Sequence, residues 1–175
     1  MNVKTAIIYS SVDGQTLKIC NKIKAELLQN NQEAALFSIE EFTDDAAIYD
    51  RIIIGSSIRY GVHQKKIIDF INTNKKLLDS KRTAFFSVNL VARKPEKRTS
   101  ETNPYVVKFF KTIDWKPTIV EVFAGKIDYK RYSFFDRTMI QLIMWMTKGP
   151  TNKNAEIEYT DWNRVKEFGM QLASL

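Results

Sequence analysis

An apolar segment near the start of the chain, residues 7–9, runs directly into small hydroxyl residues, a glycine and a threonine. The stretch that follows it reads Ser10-Ser11-Val12-Asp13-Gly14-Gln15-Thr16. This order predicts a strand, a tight turn and then a helix that begins at Thr16. Backbone N–H groups at the start of a helix are unpaired and carry partial positive charge, so they bind anions such as phosphate. Simple capping of the helix by Ser and Thr is the alternative interpretation.

The turn lacks the features of two common nucleotide-binding motifs. It contains no Lys and does not have the G-x-x-x-x-G-K-[ST] spacing of a nucleoside-triphosphate P-loop. It also lacks the G-x-G-x-x-G pattern of a Rossmann dinucleotide site. A hydroxyl-rich turn without these patterns favours a ligand that presents a single terminal phosphate.

The composition predicts one domain, residues 1–175, with a sizeable core. Cys20 is the only cysteine, so an internal disulfide is excluded and a reducing compartment is expected. It shares a predicted helix face with Ile23 and Leu27, which favours a buried structural thiol. No run of residues approaches the roughly 20 apolar residues that span a bilayer, and no signal-peptide pattern is present. We therefore expect a cytoplasmic protein.

The charge of the chain points to an anionic partner. It has 27 Lys and Arg residues against 20 Asp and Glu residues, a net charge of +7, and its pI is near 9.4. Nucleic acid, an anionic membrane surface and a carboxylate-bearing substrate all fit this charge. Nucleic acid ranks last because the chain shows no RNA-binding aromatic signature and no zinc-ligand set. With one His and one Cys, a His/Cys metal site is not expected either.

Predicted strands and helices alternate along the chain. The strands cover residues 3–10, 34–39, 51–57, 83–90 and 118–124, and the helices cover residues 16–30, 65–78, 102–112 and 161–175. This alternation predicts an α/β three-layer sandwich, a five-stranded parallel sheet with helices on both faces. The five-stranded version has the flavodoxin-like order 2-1-3-4-5, with its ligand at the carboxyl ends of the strands. Flavodoxin-like proteins hold flavin mononucleotide (FMN) through a hydroxyl-rich loop, so we predict FMN as the cofactor.

Three loops are expected to meet at that edge of the sheet. They follow the first, third and fourth strands, at residues 11–15, residues 57–61 and from Asn89 onward. The first loop would contact the phosphate, and the other two would flank the flat isoalloxazine ring. Tyr60 is placed to stack on the ring, with a rim aromatic that contacts no ligand as the alternative. Backbone groups near Gly61 and Asn89 are expected to bond the polar edge of the ring.

Longer motifs are spread along the chain between residues 10 and 144. They read S-x-x-D-G-Q-T at 10–16, I-G-S-S-I-R-Y-G at 54–61, S-V-N-L-V-A-R-K-P-E-K-R-T at 87–99, Y-K-R-Y at 129–132, F-D-R at 135–137 and M-I-x-L-I-M at 139–144. Together they resemble menaquinone-dependent protoporphyrinogen oxidase, a flavodoxin-like, FMN-containing enzyme family of bacterial haem synthesis. The block at 87–99 is the most specific of them.

The resemblance implies a reaction and a set of site residues. FMN would take electrons from protoporphyrinogen IX, giving protoporphyrin IX, and pass them to a membrane quinone, menaquinone or ubiquinone. The FMN-binding positions that it implies are Ser11, Asp13, Gly14, Gln15, Thr16, Arg59, Tyr60, Gly61, Ser87, Val88, Asn89 and Leu90. Val12 and Ser57 lie in the same loops and are included in the predicted site. Because a carboxylate repels phosphate, Asp13 is expected to turn away and cap backbone N–H groups.

A basic insertion near residues 91–104 leaves the strand beside the expected ring. Its run 93–98 contains four basic residues and one acid. A solvated loop is one interpretation. The other is that the insertion binds the two propionates of the macrocycle, because Arg and Lys pair well with carboxylates. The candidate substrate-binding residues are Arg93, Lys94, Lys97 and Arg98.

A second insertion, near residues 127–150, is apolar in its middle and basic at its ends. It has no charged residue from 138 to 147. Burial in the core or in a homo-oligomer contact, a helix in the membrane interface, and a cover over substrate or quinone are the three alternatives. We carry interfacial contact forward because the proposed electron acceptor lies in the bilayer. This would make the protein peripheral on the cytoplasmic face of the inner (plasma) membrane.

No catalytic side chain is assigned, because the flavin carries the redox step. His63 follows the 57–61 loop, but a lone His beside a turn is expected at the surface. Two other functions remain open, a flavodoxin-type electron carrier and a general FMN quinone reductase fed by a nicotinamide cofactor. The basic charge and the two insertions favour the enzyme that oxidises protoporphyrinogen.

Overall fold

The computed structural model describes residues 3–175, which form eight strands and six α-helices. The strands are β1 Lys4–Ser10, β2 Glu33–Ser38, β3 Arg51–Arg59, β4 Val62–His63, β5 Arg82–Asn89, β6 Ile119–Ala124, β7 Lys126–Asp128 and β8 Glu156–Glu158. The helices are α1 Gln15–Gln29, α2 Lys65–Thr73, α3 Lys75–Ser80, α4 Pro104–Thr112, α5 Phe134–Met146 and α6 Trp162–Ala173. Each predicted strand is present, and so is each predicted helix except that over residues 65–78, which is divided in two; the other ends are shifted by a few residues.

Five parallel strands form the central sheet in the order β2-β1-β3-β5-β6. Counted along the chain, this is the predicted order 2-1-3-4-5, and the α/β prediction is confirmed. The inner strands are apolar almost throughout because helices cover both of their faces. Ile7 and Ile8 illustrate this, since they are neighbours on β1 and both are fully buried on opposite faces of the sheet.

Each face of the sheet has its own core. On one face, Ile8, Ile54 and Phe85 pack with residues of α2, α3 and α4. On the other face, residues of α1 and α6 cover the sheet, and Cys20 is fully buried there, as predicted. Burial raises the pKa of the Cys20 thiol, which keeps it protonated and unreactive.

The structure departs from the prediction in three local features. The helix predicted over residues 65–78 is two helices, because Asn74 leaves the helical conformation and its side-chain amide donates to the Phe70 carbonyl at 2.9 Å. The short strand β4 pairs antiparallel with the end of β3. Strands β7 and β8 form a separate two-stranded sheet.

The two insertions have different structures. The basic insertion folds into two turns of 3₁₀ helix, Leu90–Arg93 and Pro95–Lys97, before α4 begins. The apolar insertion forms α5 between β7 and β8. The only buried residues of α5 are Asp136 and Met144. Of the first alternative, burial in the core or in a homo-oligomer contact, the core part is therefore wrong, and the oligomer contact stays a prediction. Among residues 3–175, no helix is both long and apolar enough to span a membrane.

Candidate active site

A cleft lies at the carboxyl ends of β1, β3 and β5, where the three predicted loops meet, and α5 closes it from above. Its volume is about 130 Å³. From the predicted FMN-binding set, the residues that line it are Ser11, Asp13, Gln15, Thr16, Ser57, Arg59, Tyr60, Gly61, Val88, Asn89 and Leu90. Val12, Gly14 and Ser87 are not part of the lining.

The β1–α1 turn has the predicted strand–turn–helix geometry, and phosphate binding at it stays a prediction. Gly14 has a φ of 86°, a left-handed conformation that costs glycine little. Its N–H donates to the Ser11 hydroxyl at 3.1 Å, and its carbonyl accepts the first helical bond from Lys18 at 3.1 Å. Because no side chain caps the helix, capping alone does not explain the hydroxyl residues of this turn.

One buried hydroxyl in this turn has no hydrogen-bond partner. Thr16 is almost fully buried and lines the cleft, yet its Oγ1 makes no hydrogen bond within residues 3–175. Buried polar groups are paired in nearly all native structures. A phosphate oxygen at the start of α1 would supply the missing partner, so the residues present fit the phosphate end of FMN.

Asp13 does not cap the helix, so that prediction is wrong. Its carboxylate lies 3.7 Å from the guanidinium of Arg59 instead, and Ser11 accepts the N–H bond within the turn. Burial raises the pKa of the Asp13 carboxyl, although the charge of Arg59 acts in the opposite direction. The Arg59 side chain therefore compensates a negative charge that would otherwise face a bound phosphate.

The turn after β3 contains the residues predicted to flank the ring. Tyr60 stands at the rim with 63% of its surface exposed, and the Arg59 guanidinium lies 5.4 Å from its ring centroid. Its hydroxyl donates to Asp136 of α5 at 2.5 Å. The pKa of Asp136 is lowered by that bond, by a second hydrogen bond from the Ser133 hydroxyl and by the neighbouring charge of Arg59. Ring stacking by Tyr60 stays a prediction.

His63 is buried, which overturns the expectation that it lies at the surface. Only 4% of it is exposed, its ring centroid lies 4.5 Å from that of Phe109, and burial lowers its pKa to about 3. Its Nε2 lies 3.0 Å from the Ser87 hydroxyl, which also accepts from the Asn89 amide at 3.1 Å. Ser87 and His63 thus support Asn89 from behind the cleft wall.

Two residues of the basic insertion, Val91 and Arg93, line the cleft, and Arg93 is the only one of its four predicted substrate ligands that does. Its guanidinium donates to the Leu90 carbonyl at 2.9 Å and to the Thr147 hydroxyl at 2.8 Å, so it fastens the end of α5 to the end of β5. The other three predicted substrate ligands, Lys94, Lys97 and Arg98, do not line the cleft. Contact of these residues with propionates stays a prediction.

Sequence reasoning did not identify several residues that line the cleft. Met139, Ile140 and Ile143 of α5 form its apolar wall, and their i, i+1, i+4 spacing is a helical pattern that indicates a common face. No spacing pattern in the sequence could indicate the contacts of Asp136, because its partners Arg59 and Tyr60 lie more than 70 residues earlier in the chain. Their proximity is a product of the fold alone.

Comparison with known proteins identifies close relatives. Residues 6–154 match the model of the flavodoxin domain family. The chain is 41% identical over 174 residues to protoporphyrinogen IX dehydrogenase [quinone] of Escherichia coli strain K12, covering 99% of this chain and 96% of that protein. It is 39% identical to the protein of the same name from Leishmania major, covering 98% of this chain and 75% of that protein. The structure of a flavodoxin from the domain Archaea superposes on this chain with a TM-score of 0.55 at 16% identity, and the alignment covers 98% of this chain and 97% of the archaeal one. This likeness shows a common fold.

Proposed function

Because this chain belongs to the family of quinone-dependent protoporphyrinogen IX dehydrogenases, whose fold is the flavodoxin domain, we propose that it oxidises protoporphyrinogen IX to protoporphyrin IX in haem biosynthesis. The electrons pass to a quinone. The observation that carries the proposal is sequence identity of 41% and 39% to two such enzymes, over 99% and 98% of this chain. The cleft with its unpaired Thr16 hydroxyl gives that relationship a physical site.

The residues of the three loops divide the work of holding FMN. The N–H groups at the start of α1, with the hydroxyls of Ser11 and Thr16, would bind its phosphate. Backbone groups near Asn89, whose side chain is held by Ser87 and Asn103, would bond the polar edge of the ring. When bound, FMN supplies the two-electron redox chemistry. Full oxidation removes six electrons and six protons from the substrate, so three quinones are reduced to quinols for each porphyrin formed.

The apolar wall of the cleft suits a broad macrocycle. Met139, Ile140 and Ile143 face the loops across the cleft, and they exclude water from one side of it. Lys94, Lys97 and Arg98 lie on the basic insertion next to the cleft, and they are the candidate partners of the propionate carboxylates. Arg93, which bonds Thr147, contributes by holding α5 in place.

We place the enzyme on the cytoplasmic face of the inner (plasma) membrane as a peripheral protein. The outer side of α5 exposes large apolar residues, Phe134 at 83%, Phe135 at 76%, Trp145 at 72% and Met146 at 70%. Exposed basic residues flank it, among them Lys130, Arg131, Lys148 and Lys153. An apolar helix face bordered by basic residues is typical of binding to an anionic bilayer surface, where the quinone also lies.

The decisive experiment mixes FMN-loaded protein anaerobically with protoporphyrinogen IX and a menaquinone analogue. We expect porphyrin fluorescence to appear only when both the protein and the quinone are present. An electron carrier would instead stabilise a one-electron flavin radical and form no porphyrin, and a nicotinamide-fed reductase would oxidise NAD(P)H rapidly. Either result would contradict the proposal.

Membrane contact has its own test, co-sedimentation with vesicles of mixed neutral and anionic lipid. Trp145→Ser is expected to reduce sedimentation. Met170→Ser serves as the matched control, because Met170 is also exposed, at 53%, but lies on α6. Equal sedimentation of the two variants, or binding that ignores the anionic lipid, would contradict membrane contact through α5.

A further inference from the structure

Asp136, in the first turn of α5, joins two parts of the cleft that are far apart in the chain. Its carboxylate accepts hydrogen bonds from the Arg59 guanidinium, from the Tyr60 hydroxyl at 2.5 Å and from the Ser133 hydroxyl at 2.7 Å. Only 9% of Asp136 is exposed. A buried carboxylate with three donors is a strongly held group, unlike an ordinary surface ion pair.

The turn that Asp136 contacts is strained. Arg59 pairs with Val62 across the β3–β4 hairpin, so Tyr60 and Gly61 alone form its turn, with φ angles of 51° and 79°. Two-residue turns with both φ angles positive favour Asn or Gly at the first position. A tyrosine is disfavoured there, and such a conformation persists only where the surroundings hold it. The Tyr60–Asp136 bond ties this turn to α5 and is one of the contacts that hold it.

We propose that Asp136 is a positioning residue for the cofactor cleft. It holds the Tyr60–Gly61 turn and the Arg59 side chain against the cleft, and it fastens the first turn of α5 above them. It acts through these residues and takes no part in the chemical step. The inference rests on the proposed function, since it assigns Asp136 a role in shaping the FMN site.

A second attachment limits what loss of Asp136 can do. Arg93 fastens the other end of α5 through Thr147, and Met144 remains fully buried. Removing the Asp136 carboxylate therefore releases the hairpin turn from α5. The first turn of the helix keeps the bond from Arg137 to the Tyr129 carbonyl at 3.0 Å, and the last turn stays attached through Arg93. Arg59 would keep Asp13, 3.7 Å away, as its remaining carboxylate. The expected defect is thus in the shape of the cleft rather than in the fold.

The test compares Asp136→Asn, Tyr60→Phe and the double variant with the control Asp69→Asn. Asp69 is an exposed acid on α2 that faces Lys65 one turn away and lies outside the cleft. The apoproteins are titrated with FMN, and its fluorescence quenching gives Kd. Since a hydrogen bond to a charged group is lost, Asp136→Asn is expected to raise Kd about tenfold and Tyr60→Phe somewhat less. Because both act on one bond, the double variant should be little worse than Asp136→Asn.

Two further readouts separate positioning from a general loss of stability. Quenching of bound flavin by iodide is expected to increase in Asp136→Asn and to return towards the wild-type value in Asp136→Glu, which restores the charge. Equal Kd and equal iodide quenching in Asp136→Asn and Asp69→Asn would overturn the proposal, and so would fully additive effects in the double variant. If Asp136→Asn does not fold, an unchanged Kd in Tyr60→Phe overturns it. Wild-type apoprotein that takes up no FMN would refute the proposed function instead.

Discussion

The stability of this protein should fall in mild acid because of one buried histidine. His63 is neutral in the native state, since burial lowers its pKa to about 3 from an ordinary value of 6.5. Below pH 6.5 the unfolded chain takes up a proton at His63 that the native chain does not. The free energy of unfolding therefore decreases as the pH falls from about 6.5 towards 3, and this group contributes no further loss below that.

The size of the effect at a given pH follows from how far that pH lies below the pKa of His63 in the unfolded chain, as long as it stays above the native pKa. At pH 5 the unfolded side chain is almost fully protonated, whereas the native one is almost fully neutral. The pH then lies 1.5 units below the unfolded pKa, and each unit is worth about 1.4 kcal/mol. Lowering the pH from 8 to 5 should thus remove about 2 kcal/mol from the free energy of unfolding through His63 alone.

Urea unfolding of the wild type and of His63→Gln at pH 8 and at pH 5 measures this contribution. Carboxylates also titrate in this range, but they do so in both proteins, so the difference between the two pH dependences isolates His63. His63→Gln is expected to be less stable at pH 8, because it loses ring contacts with Phe85 and Phe109. It should also lose about 2 kcal/mol less than the wild type on going to pH 5. Parallel pH dependences would refute the buried, neutral state of His63.

Three further predictions concern the cleft and the sheet. Thr16→Val should raise the Kd for FMN about tenfold and leave that for riboflavin, which has no phosphate, unchanged in the same fluorescence titration. Gly55→Ala should lower the free energy of unfolding in urea by about 1–3 kcal/mol, because the new Cβ would lie 2.3 Å from Cζ of the buried Phe86 ring. Arg93→Met removes the bonds to Thr147 and should speed limited proteolysis near the end of α5. A proteolysis rate equal to the wild type would contradict that attachment.

The central sheet was predictable because each inner strand carries its own signal. A strand buried on both faces is apolar at every position, so runs such as residues 52–54 stand out without knowledge of their partners. The position of the cleft followed from the same reasoning, since parallel strands bring their carboxyl ends to one edge. The strand–turn–helix shape of the β1–α1 turn was predictable because its hydroxyl residues and glycine are adjacent in the chain.

Contacts between distant segments were not predictable from local pattern. His63 lies beside a turn, and its burial depends on α4 and β5, which supply Phe109 and Phe85 around it. The break between α2 and α3 was missed because the apolar spacing continues through it, while the Asn74 amide bonds the Phe70 carbonyl. Asparagine competes for backbone hydrogen bonds in this way, but whether it ends a helix depends on the surroundings.

The two faces of α5 explain why the sequence left its role open. A helix that is apolar all round is ordinarily buried all round, yet Met144 is the only apolar residue of α5 that is fully enclosed. One side of α5 lines the cleft with Met139, Ile140 and Ile143, and the other side leaves Phe134 and Trp145 exposed. Apolar packing of α5 against this chain is confined to one side. Polar bonds at its two ends, and one from Gln141 to the Thr151 carbonyl at 2.8 Å, add to the attachment. A contiguous exposed apolar patch of this kind marks an interaction surface. In the proposed membrane-bound state, contact with a bilayer would cover this patch, and the helix that shapes the cofactor cleft would then also face the membrane.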